Sequence, residues 1–152
     1  MRTVQGWLDG SIGWTRDRVP DVSRRGPEPF ETSIAPWLVV NDAQKAVDFY
    51  RAAFGAVDMY SLDDHGRVVV SQLSVGRAAF WVQEDADASP VAPGVGSVRM
   101  ILSVEDPDSV FDQAVAAGAT VVAHVHEEHG WRTGRITDPF GHDWEISRQL
   151  PS

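Results

Sequence analysis

Apolar residues recur between residues 34 and 149 in two successive stretches that share one plan. Each stretch begins with a β-branched run, continues with apolar residues at helical spacing, and ends with three segments of alternating apolar and polar residues. The helical segments lie within residues 38–60 (LVVNDAQKAVDFYRAAFGAVDMY) and 102–123 (LSVEDPDSVFDQAVAAGATVVA). Because the order is the same in both stretches, the pattern predicts a βαβββ unit written twice.

The ends of both helices are marked by residues with clear stereochemical preferences. Asp42 and Asp106 precede the helical segments and are expected to be their N-caps, and Pro107 fits the first helical position, where its missing N–H costs nothing. Gly55 and Gly118 follow the last apolar helical positions and predict left-handed residues that end the helices.

Three strands are predicted after each helix. They span about 57–62, 67–75 and 77–83 in the first unit and 120–126, 131–137 and 143–148 in the second. Pro90 and Pro93 mark the connection between the units. The sequence therefore predicts an α+β fold in a single domain, residues 33–149, made of two βαβββ modules at about 34–84 and 97–148.

Residues 1–32 differ from this body and predict an irregular N-terminal arm. They contain RDRVPDVSRRGPEPFE, which is rich in Arg, Pro and Gly and has little periodicity. Trp7 and Trp14 are large apolar groups to leave in water. Two interpretations stay open: the tryptophans anchor the arm on the body or on a second subunit, or the arm is a loose extension.

Composition excludes several classes of function. The 152 residues carry a formal net charge of −9, which argues against a nucleic-acid partner. The sequence contains no cysteine, which excludes disulfides, thiolate metal sites and cysteine nucleophiles. The apolar runs are too short to cross a membrane, and the first residues lack the apolar core of a secretory signal. A cytoplasmic location is the expectation.

The motifs VVND…DFYRAAFGA, VEDPD…VFDQAVAAGATV and GRITDPFGHDWEI resemble the vicinal oxygen chelate superfamily. This superfamily includes glyoxalase I, extradiol dioxygenases, and the fosfomycin- and bleomycin-resistance proteins. The loop and the DPFGH turn are most similar to its PhnB-like subgroup. The resemblance covers residues 34 to about 149. It implies that the strands form a cupped mixed sheet with helices on the convex side, that the cup holds a small-molecule ligand, and that the protein is a homodimer.

The resemblance also implies where a metal ion would be bound: one ligand from the first and one from the last strand of each module. Those four positions are Ala35, Trp81, Arg99 and Glu145 here. A guanidinium has no lone pair with which to bind a metal ion, and only one of the four side chains is a carboxylate. We therefore expect neither a bound metal ion nor another cofactor. We expect Arg99 to take the electrostatic role of the metal and to pair with Glu145. Alternatively, the pair only holds the cup shut.

Strand alternation identifies the other side chains of the cup. Trp144 and Ile146 should face the helices, which leaves Asp143, Glu145 and Ser147 for the cup. Aromatic residues and a few polar groups are typical of a small-molecule pocket, although large side chains can also simply fill an unused cup. The predicted ligand-binding residues are Trp37, Gln72, Trp81, Gln83, Arg99, His126, Trp131 and Glu145.

The histidine-rich tract HVHEEHGWR, residues 124–132, suggests a metal site, because imidazole and carboxylate are common transition-metal ligands. His124 and His126 are predicted on one strand face and His129 in a turn, so a solvated hairpin is favoured. In the resembled proteins this loop overhangs the cup, which places His126, His129 or Trp131 near a ligand. His142 in DPFGHD is expected to stabilise its turn.

These features favour a metal-independent small-molecule-binding protein of the glyoxalase/bleomycin-resistance type, with no catalytic residue assigned. The first alternative is a metal-dependent glyoxalase-like isomerase or dioxygenase that uses Glu145 and loop histidines. The second is an interaction module with a vestigial cup. Whether the modules pair within one chain or between chains is left open by the sequence.

Overall fold

A computed structural model of the chain describes residues 29–90 and 92–152. The chain divides into units at residues 1–33 and 34–152, and all described helices and strands lie in the second unit. Residues 29–33 are exposed and have no regular structure. The rest of the predicted arm, including Trp7 and Trp14, lies outside the described residues.

The first module consists of β1 (Trp37–Val40), α1 (Ala43–Phe54), β2 (Val57–Asp64), β3 (Arg67–Val75) and β4 (Ala78–Glu84). Its strands form a mixed four-stranded sheet in the order β1-β4-β3-β2, in which β1 and β4 are parallel. We call this sheet A.

The second module repeats the plan with β5 (Arg99–Ser103), α2 (Pro107–Ala117), β6 (Thr120–Glu128), β7 (Trp131–Thr137) and β8 (Asp143–Gln149). Its strands form sheet B in the equivalent order β5-β8-β7-β6. The predicted α+β class with two βαβββ modules is confirmed. Within the described residues the strands form two separate sheets, so each module supplies its own half of the expected cup.

The predicted ends of the helices are confirmed. The Asp42 side chain accepts a hydrogen bond from the N–H of Lys45 at 3.0 Å, and Asp106 accepts one from Ser109 at 3.1 Å. Gly55 is left-handed, with φ of 67°, because the backbone turns there out of α1. Each helix therefore starts and stops where its local sequence specifies.

Two hairpins are tighter than predicted, and their strands are correspondingly longer. His65 and Gly66 alone join β2 to β3, with φ of 49° and 79°, and His129 and Gly130 join β6 to β7 with φ of 49° and 81°. Positive φ at both central residues is the signature of a type I′ turn, whose twist matches that of the flanking strands. The acidic residues at the ends of β2 and β6 therefore continue the strands.

The two modules share one hydrophobic core, which lies between their sheets. Helix α1 packs on sheet A, α2 packs on sheet B, and the helices contact each other. Phe80 of β4 and Trp144 of β8 meet across this core with ring centroids 5.6 Å apart, and Tyr50 of α1 contacts both rings. The outer face of each sheet is therefore the one turned away from this shared core.

Asp138, at the start of the DPFGH turn, joins the modules. Its carboxylate accepts hydrogen bonds from the Tyr50 hydroxyl at 2.5 Å, from Trp144 Nε1 at 3.0 Å, and from the N–H groups of Phe140 and His142 at 2.9 and 3.0 Å. His142 Nε2 lies 2.9 Å from the carbonyl oxygen of Val39 in β1. Its backbone N–H thus supports the turn, as the sequence predicted, and its ring bridges to the first module.

The connection between the modules is fixed by a second buried carboxylate. Asp143 is 3% exposed and accepts hydrogen bonds from the N–H groups of Gly94 and Gly96 at 3.1 and 3.0 Å and from Thr137 Oγ1 at 2.7 Å. A Cβ at Gly96 would lie 2.8 Å from the carboxylate of Asp143, so this approach requires glycine.

Among the described helices, none is long and apolar enough to span a membrane.

Candidate functional site

Aromatic side chains are clustered on the outer face of sheet A. Trp37 of β1 and Trp81 of β4 are register partners and stack with ring centroids 5.5 Å apart and an interplanar angle of 21°. Tyr60 of β2 meets the edge of Trp81 at 5.9 Å. The Trp37 side remains open to solvent, since that residue is 51% exposed.

Two amides complete this surface. Gln83 Oε1 accepts a hydrogen bond of 2.8 Å from Trp37 Nε1 and so fixes the orientation of the indole ring. Gln72 of β3 lies between Tyr60 and Trp81 in the ladder. The structure therefore brings together four of the predicted site residues and adds one that the sequence did not single out. We call this surface the aromatic face; it consists of Trp37, Tyr60, Gln72, Trp81 and Gln83.

The predicted ion pair between Arg99 and Glu145 is present on the outer face of sheet B. Arg99 Nε lies 2.9 Å from Glu145 Oε2, and Thr133 Oγ1 donates to Glu145 Oε1 at 3.0 Å. Glu145 is on the outer face because its neighbours Trp144 and Ile146 are buried in the core, at 5% and 0% exposure. Both carboxylate oxygens are thus used within the second module.

The ladder of sheet B arranges further polar side chains in rows around Glu145. Ser147 of β8 is the partner of Ser103 in β5 and of Thr133 in β7. In the next row Glu145 lies between Ile101 and Arg135. We call this surface the polar face; it consists of Arg99, Ile101, Ser103, Thr133, Arg135, Glu145 and Ser147.

Arg135, like Thr133, is a residue of this face that the sequence reasoning missed. Its Nε is buried without a hydrogen-bond partner, and within the described residues its guanidinium forms no ion pair. The alternation of β7 could have identified it: Gly134 and Ile136 are buried in the core, so Arg135 between them points outward. Ser147, which the sequence did place on this face, also has a buried hydroxyl without a partner.

His126 and Trp131 lie in the β6–β7 hairpin. His126 is the partner of Thr133 and therefore borders the polar face, whereas Trp131 lies at the end of β7 opposite Glu128 and Gln149. His126 Nδ1 is 2.9 Å from the carbonyl oxygen of His124, and its Nε2 is 3.3 Å from Glu128. The backbone carbonyl, and after it Glu128, raise the pKa of His126.

The other histidines of this tract point elsewhere. A bulge separates Ala123 from His126, and His124 packs against Phe111 of α2 with ring centroids 6.1 Å apart, so the predicted common face of His124 and His126 is not formed. His129 lies in the turn as predicted, 3.3 Å from Glu128. Across residues 29–90 and 92–152, no group of three or more His, Asp or Glu side chains is arranged to hold a metal ion.

The four positions that correspond to metal ligands do not fit a metal ion. Ala35 has no donor atom, Trp81 is stacked on Trp37, and Arg99 places a fixed positive charge against Glu145. They also lie in two different modules. At these four positions the side chains therefore offer an ion pair and hydrogen bonds.

The aromatic face and the polar face lie on two different sheets of the chain. The aromatic face belongs to sheet A and the polar face to sheet B, and each lies on the side of its sheet that is turned away from the shared core. The predicted residues are thus brought together as two groups: Trp37, Gln72, Trp81 and Gln83 in one, and Arg99, His126 and Glu145 in the other, with Trp131 at the margin of the second.

A separate recess of about 650 Å³ lies between the start of α2 and the C-terminal residues. It contains two arginines, but Arg132 is paired with Asp108 at 2.5 and 2.6 Å and Arg148 donates to the carbonyl oxygen of Glu105 at 2.8 Å. Arg132 is thus held by an ion pair and Arg148 by one backbone hydrogen bond within the chain, and none of the predicted site residues lines this recess.

Comparisons with known proteins give a consistent result. A family model described as "Glyoxalase-like domain" matches residues 37–147. An uncharacterized protein of Mycobacterium bovis is 33% identical over 129 residues, which cover 79% of this chain and 85% of that protein. An uncharacterized protein of Arabidopsis thaliana is 32% identical over 150 residues, covering 85% of this chain and 89% of that one.

Solved structures agree with the fold. TioX from Micromonospora sp. ML1 has a TM-score of 0.64 and 26% identity, with coverage of 79% of this chain and 100% of that chain. An Arabidopsis thaliana gene product has a TM-score of 0.61 and 29% identity, with coverage of 78% and 99%. The fosfomycin resistance protein FosX of Listeria monocytogenes, at 16% identity and a TM-score of 0.61 with coverage of 80% and 95%, shares the fold.

Proposed function

This chain belongs to the glyoxalase-like domain family, and we propose that it is a small-molecule-binding protein whose site works without a metal ion. The observation that carries the proposal is the half-exposed Trp37–Trp81 stack on the outer face of a sheet. Indole rings left open to water on a rigid sheet favour a flat, apolar or aromatic ligand that stacks on them. Gln72 and Gln83 would orient that ligand through hydrogen bonds.

The pairing of Arg99 with Glu145 supports a metal-independent site. A divalent cation at Glu145 would have to displace the Arg99 guanidinium from 2.9 Å and would then be repelled by it. Glu145 Oε1 is also occupied by Thr133. Under this proposal the ion pair takes the place of the metal ion that the resemblance implies at these positions.

A homodimer would bring the two faces together. Two chains related by a twofold axis could place the aromatic face of one against the polar face of the other, which creates two equivalent clefts. The exposed apolar residues Trp37, Ile101 and Trp131 would then be covered, which favours such an assembly. A cytoplasmic location is part of the same proposal.

The binding proposal is tested with variants of the aromatic face. We expect aromatic compounds selected by ligand-observed NMR to quench tryptophan fluorescence in the wild type and to bind roughly ten-fold or more weakly to Trp37→Ala, since an aromatic pair and its buried area are lost. Val95→Ala is the control, because Val95 is 71% exposed and lies in the connection between the modules. Equal loss in both variants would contradict a site at Trp37.

Metal independence is tested by elemental mass spectrometry after incubation with zinc, nickel, manganese and iron(II). We expect substoichiometric metal in the wild type and no change in Glu145→Ala. Stoichiometric metal that disappears in this variant would instead support the isomerase or dioxygenase alternative.

The assembly is tested by size-exclusion chromatography with light scattering across a wide concentration range. A dimer is expected, and Ile101→Asp should shift it towards monomer because a buried charge is costly at an interface. A wild-type chain that stays monomeric at the highest concentration would refute the shared cleft.

A further inference from the structure

We propose that the ligand of the polar face carries a carboxylate, and that Arg135 and Ser147 bind it. This inference rests on the proposed function and specifies the chemistry of its ligand. It starts from two buried donors for which the described part of the chain supplies no acceptor: Arg135 Nε and the hydroxyl of Ser147.

Arg135 is held in place by its strand while its charged end is left unsatisfied. Its neighbours Gly134 and Ile136 are buried in the core, so the side chain projects from the outer face of β7 beside Glu145. A buried N–H without an acceptor costs free energy, and for a charged group the cost is larger. A site that keeps such a donor is pre-organised for an acceptor that arrives from outside the chain.

The nearby carboxylates do not fill this role. Glu145 is the register partner of Arg135, but its oxygens accept hydrogen bonds from Arg99 and Thr133. Asp143, one row further, is occupied by Gly94, Gly96 and Thr137. Because both acids are already engaged, Arg135 Nε has no acceptor within the described part of the chain.

Ser147 provides the second donor, two residues from Glu145 on the same face of β8. It is only 1% exposed, and its hydroxyl has no partner. Thr133 and Ser103 flank it in the ladder, and the Thr133 hydroxyl is already used by Glu145. The free hydroxyl therefore lies in the row of the ladder next to the one that contains Arg135.

A carboxylate matches this pair of donors better than a neutral amide does. The planar guanidinium fork binds a carboxylate through two parallel hydrogen bonds, and a hydroxyl can donate to the remaining lone pairs. In the proposed dimer the other end of the ligand would face the tryptophans of a second copy. The inferred ligand class is thus a small aromatic carboxylic acid.

The test uses the full-length protein and two isosteric probes, 2-naphthoate and its uncharged amide, 2-naphthamide. Proton–nitrogen spectra follow the Arg135 Nε–H and the indole N–H groups of Trp37 and Trp81 in each titration. We expect saturable shifts of the Arg135 signal with the acid only, and an affinity for the acid that falls roughly ten- to a hundred-fold in Arg135→Gln, as for a lost charge-assisted hydrogen bond.

Ser147→Ala should weaken binding of the acid by roughly three- to ten-fold, as expected for one neutral hydrogen bond, and leave binding of the amide unchanged. Arg77→Gln is the matched control, since Arg77 is an exposed arginine in the turn before β4 and should not affect either probe. Thermal unfolding of each variant separates a loss of binding from a loss of fold.

The outcomes distinguish this inference from the proposed function. Indole shifts with both probes and equal affinities for acid and amide would overturn the carboxylate inference and leave the aromatic site standing. A saturating Arg135 shift without any indole shift would support the carboxylate site and count against the aromatic face. No saturable shift in either group would overturn both.

Discussion

Tyr50 of α1 donates a hydrogen bond of 2.5 Å to Asp138, which lies 88 residues further along the chain in the turn before β8. Tyr50 is fully buried, and the same carboxylate oxygen also accepts from Trp144 Nε1. This contact ties the helix of the first module to the last turn of the second. It is one of the contacts that hold the two modules together, beside the packing of Phe80 on Trp144.

Removing the Tyr50 hydroxyl should destabilise the protein. We expect Tyr50→Phe to lower the free energy of unfolding by about 1–3 kcal/mol, because a buried carboxylate loses one of its donors. Urea denaturation followed by circular dichroism measures the change. Tyr60→Phe is the matched control, since Tyr60 is half-exposed on the outer face; equal effects in the two variants would argue against the role of the Tyr50–Asp138 contact.

The same contact predicts how stability depends on alkaline pH. Burial, and then the charge of Asp138, raise the pKa of Tyr50 above its ordinary value of 10.0. The Tyr50 hydroxyl therefore holds its proton more tightly in the folded protein than in the unfolded one. Stability is unaffected at a pH below the pKa of the unfolded chain, and it is lost as the pH rises from that value through the higher pKa of the folded protein. The free energy of unfolding should therefore fall above about pH 10, and should fall less steeply in Tyr50→Phe. Parallel curves for the two proteins would contradict this assignment.

Asp143 should control the order of the connection between the modules. In Asp143→Ala the N–H groups of Gly94 and Gly96 lose their acceptor, so hydrogen exchange at both should accelerate while exchange in α1 changes less. Gly96→Ala should have the same local effect, because the new Cβ would meet the Asp143 carboxylate at 2.8 Å. Unchanged protection at these amides would exclude the carboxylate as their anchor.

Gly134 should tolerate no side chain. A Cβ there would lie 2.8 Å from both Phe111 Cδ2 and Val125 Cγ2, so we expect Gly134→Ala to cost about 1–3 kcal/mol in unfolding free energy. The double variant with Val125→Ala should recover part of this loss by removing one of the clashing methyl groups. A single variant as stable as the wild type would show that the helix α2 can move away from β7.

The ring of His126 should titrate above the ordinary range. The carbonyl oxygen of His124 raises its pKa most, followed by Glu128, so Glu128→Gln should lower the pKa only in part. NMR titration of the imidazole signals measures both values. Glu127→Gln is the control, since Glu127 lies near Arg132 rather than His126; a drop as large as that of Glu128→Gln would point to general surface charge.

Local sequence signals determined much of this structure. The N-caps Asp42 and Asp106, the terminating Gly55 and the order of elements in both modules follow from short-range stereochemistry, which a few neighbouring residues fix. Strand alternation also placed Glu145 and Trp81 on outer faces, because successive side chains of a strand point to opposite sides. The Arg99–Glu145 pair was predictable once their strands were assigned.

Other features required the tertiary structure. Tyr60 joins the aromatic face only through the register of β2 on β3, which contains a bulge between Asp58 and Tyr60. Arg135 became a candidate only when the acceptors around it proved to be engaged. The sequence identifies Asp138 only as part of a turn. Its role became visible in the structure, because its partners Tyr50 and Trp144 come from the helix of one module and a strand of the other.

The sequence by itself thus determined which elements form and, where no bulge interrupts a strand, which side chains share a strand face, because periodicity and capping act over a few residues. Only the tertiary structure decided that the strands divide into two separate sheets, with Trp37 on the outer face of one and Glu145 on the outer face of the other. That outcome depends on how Phe80, Tyr50 and Trp144 pack between the sheets. Packing of this kind is a sum of contacts between residues far apart in the chain, and no local pattern encodes it.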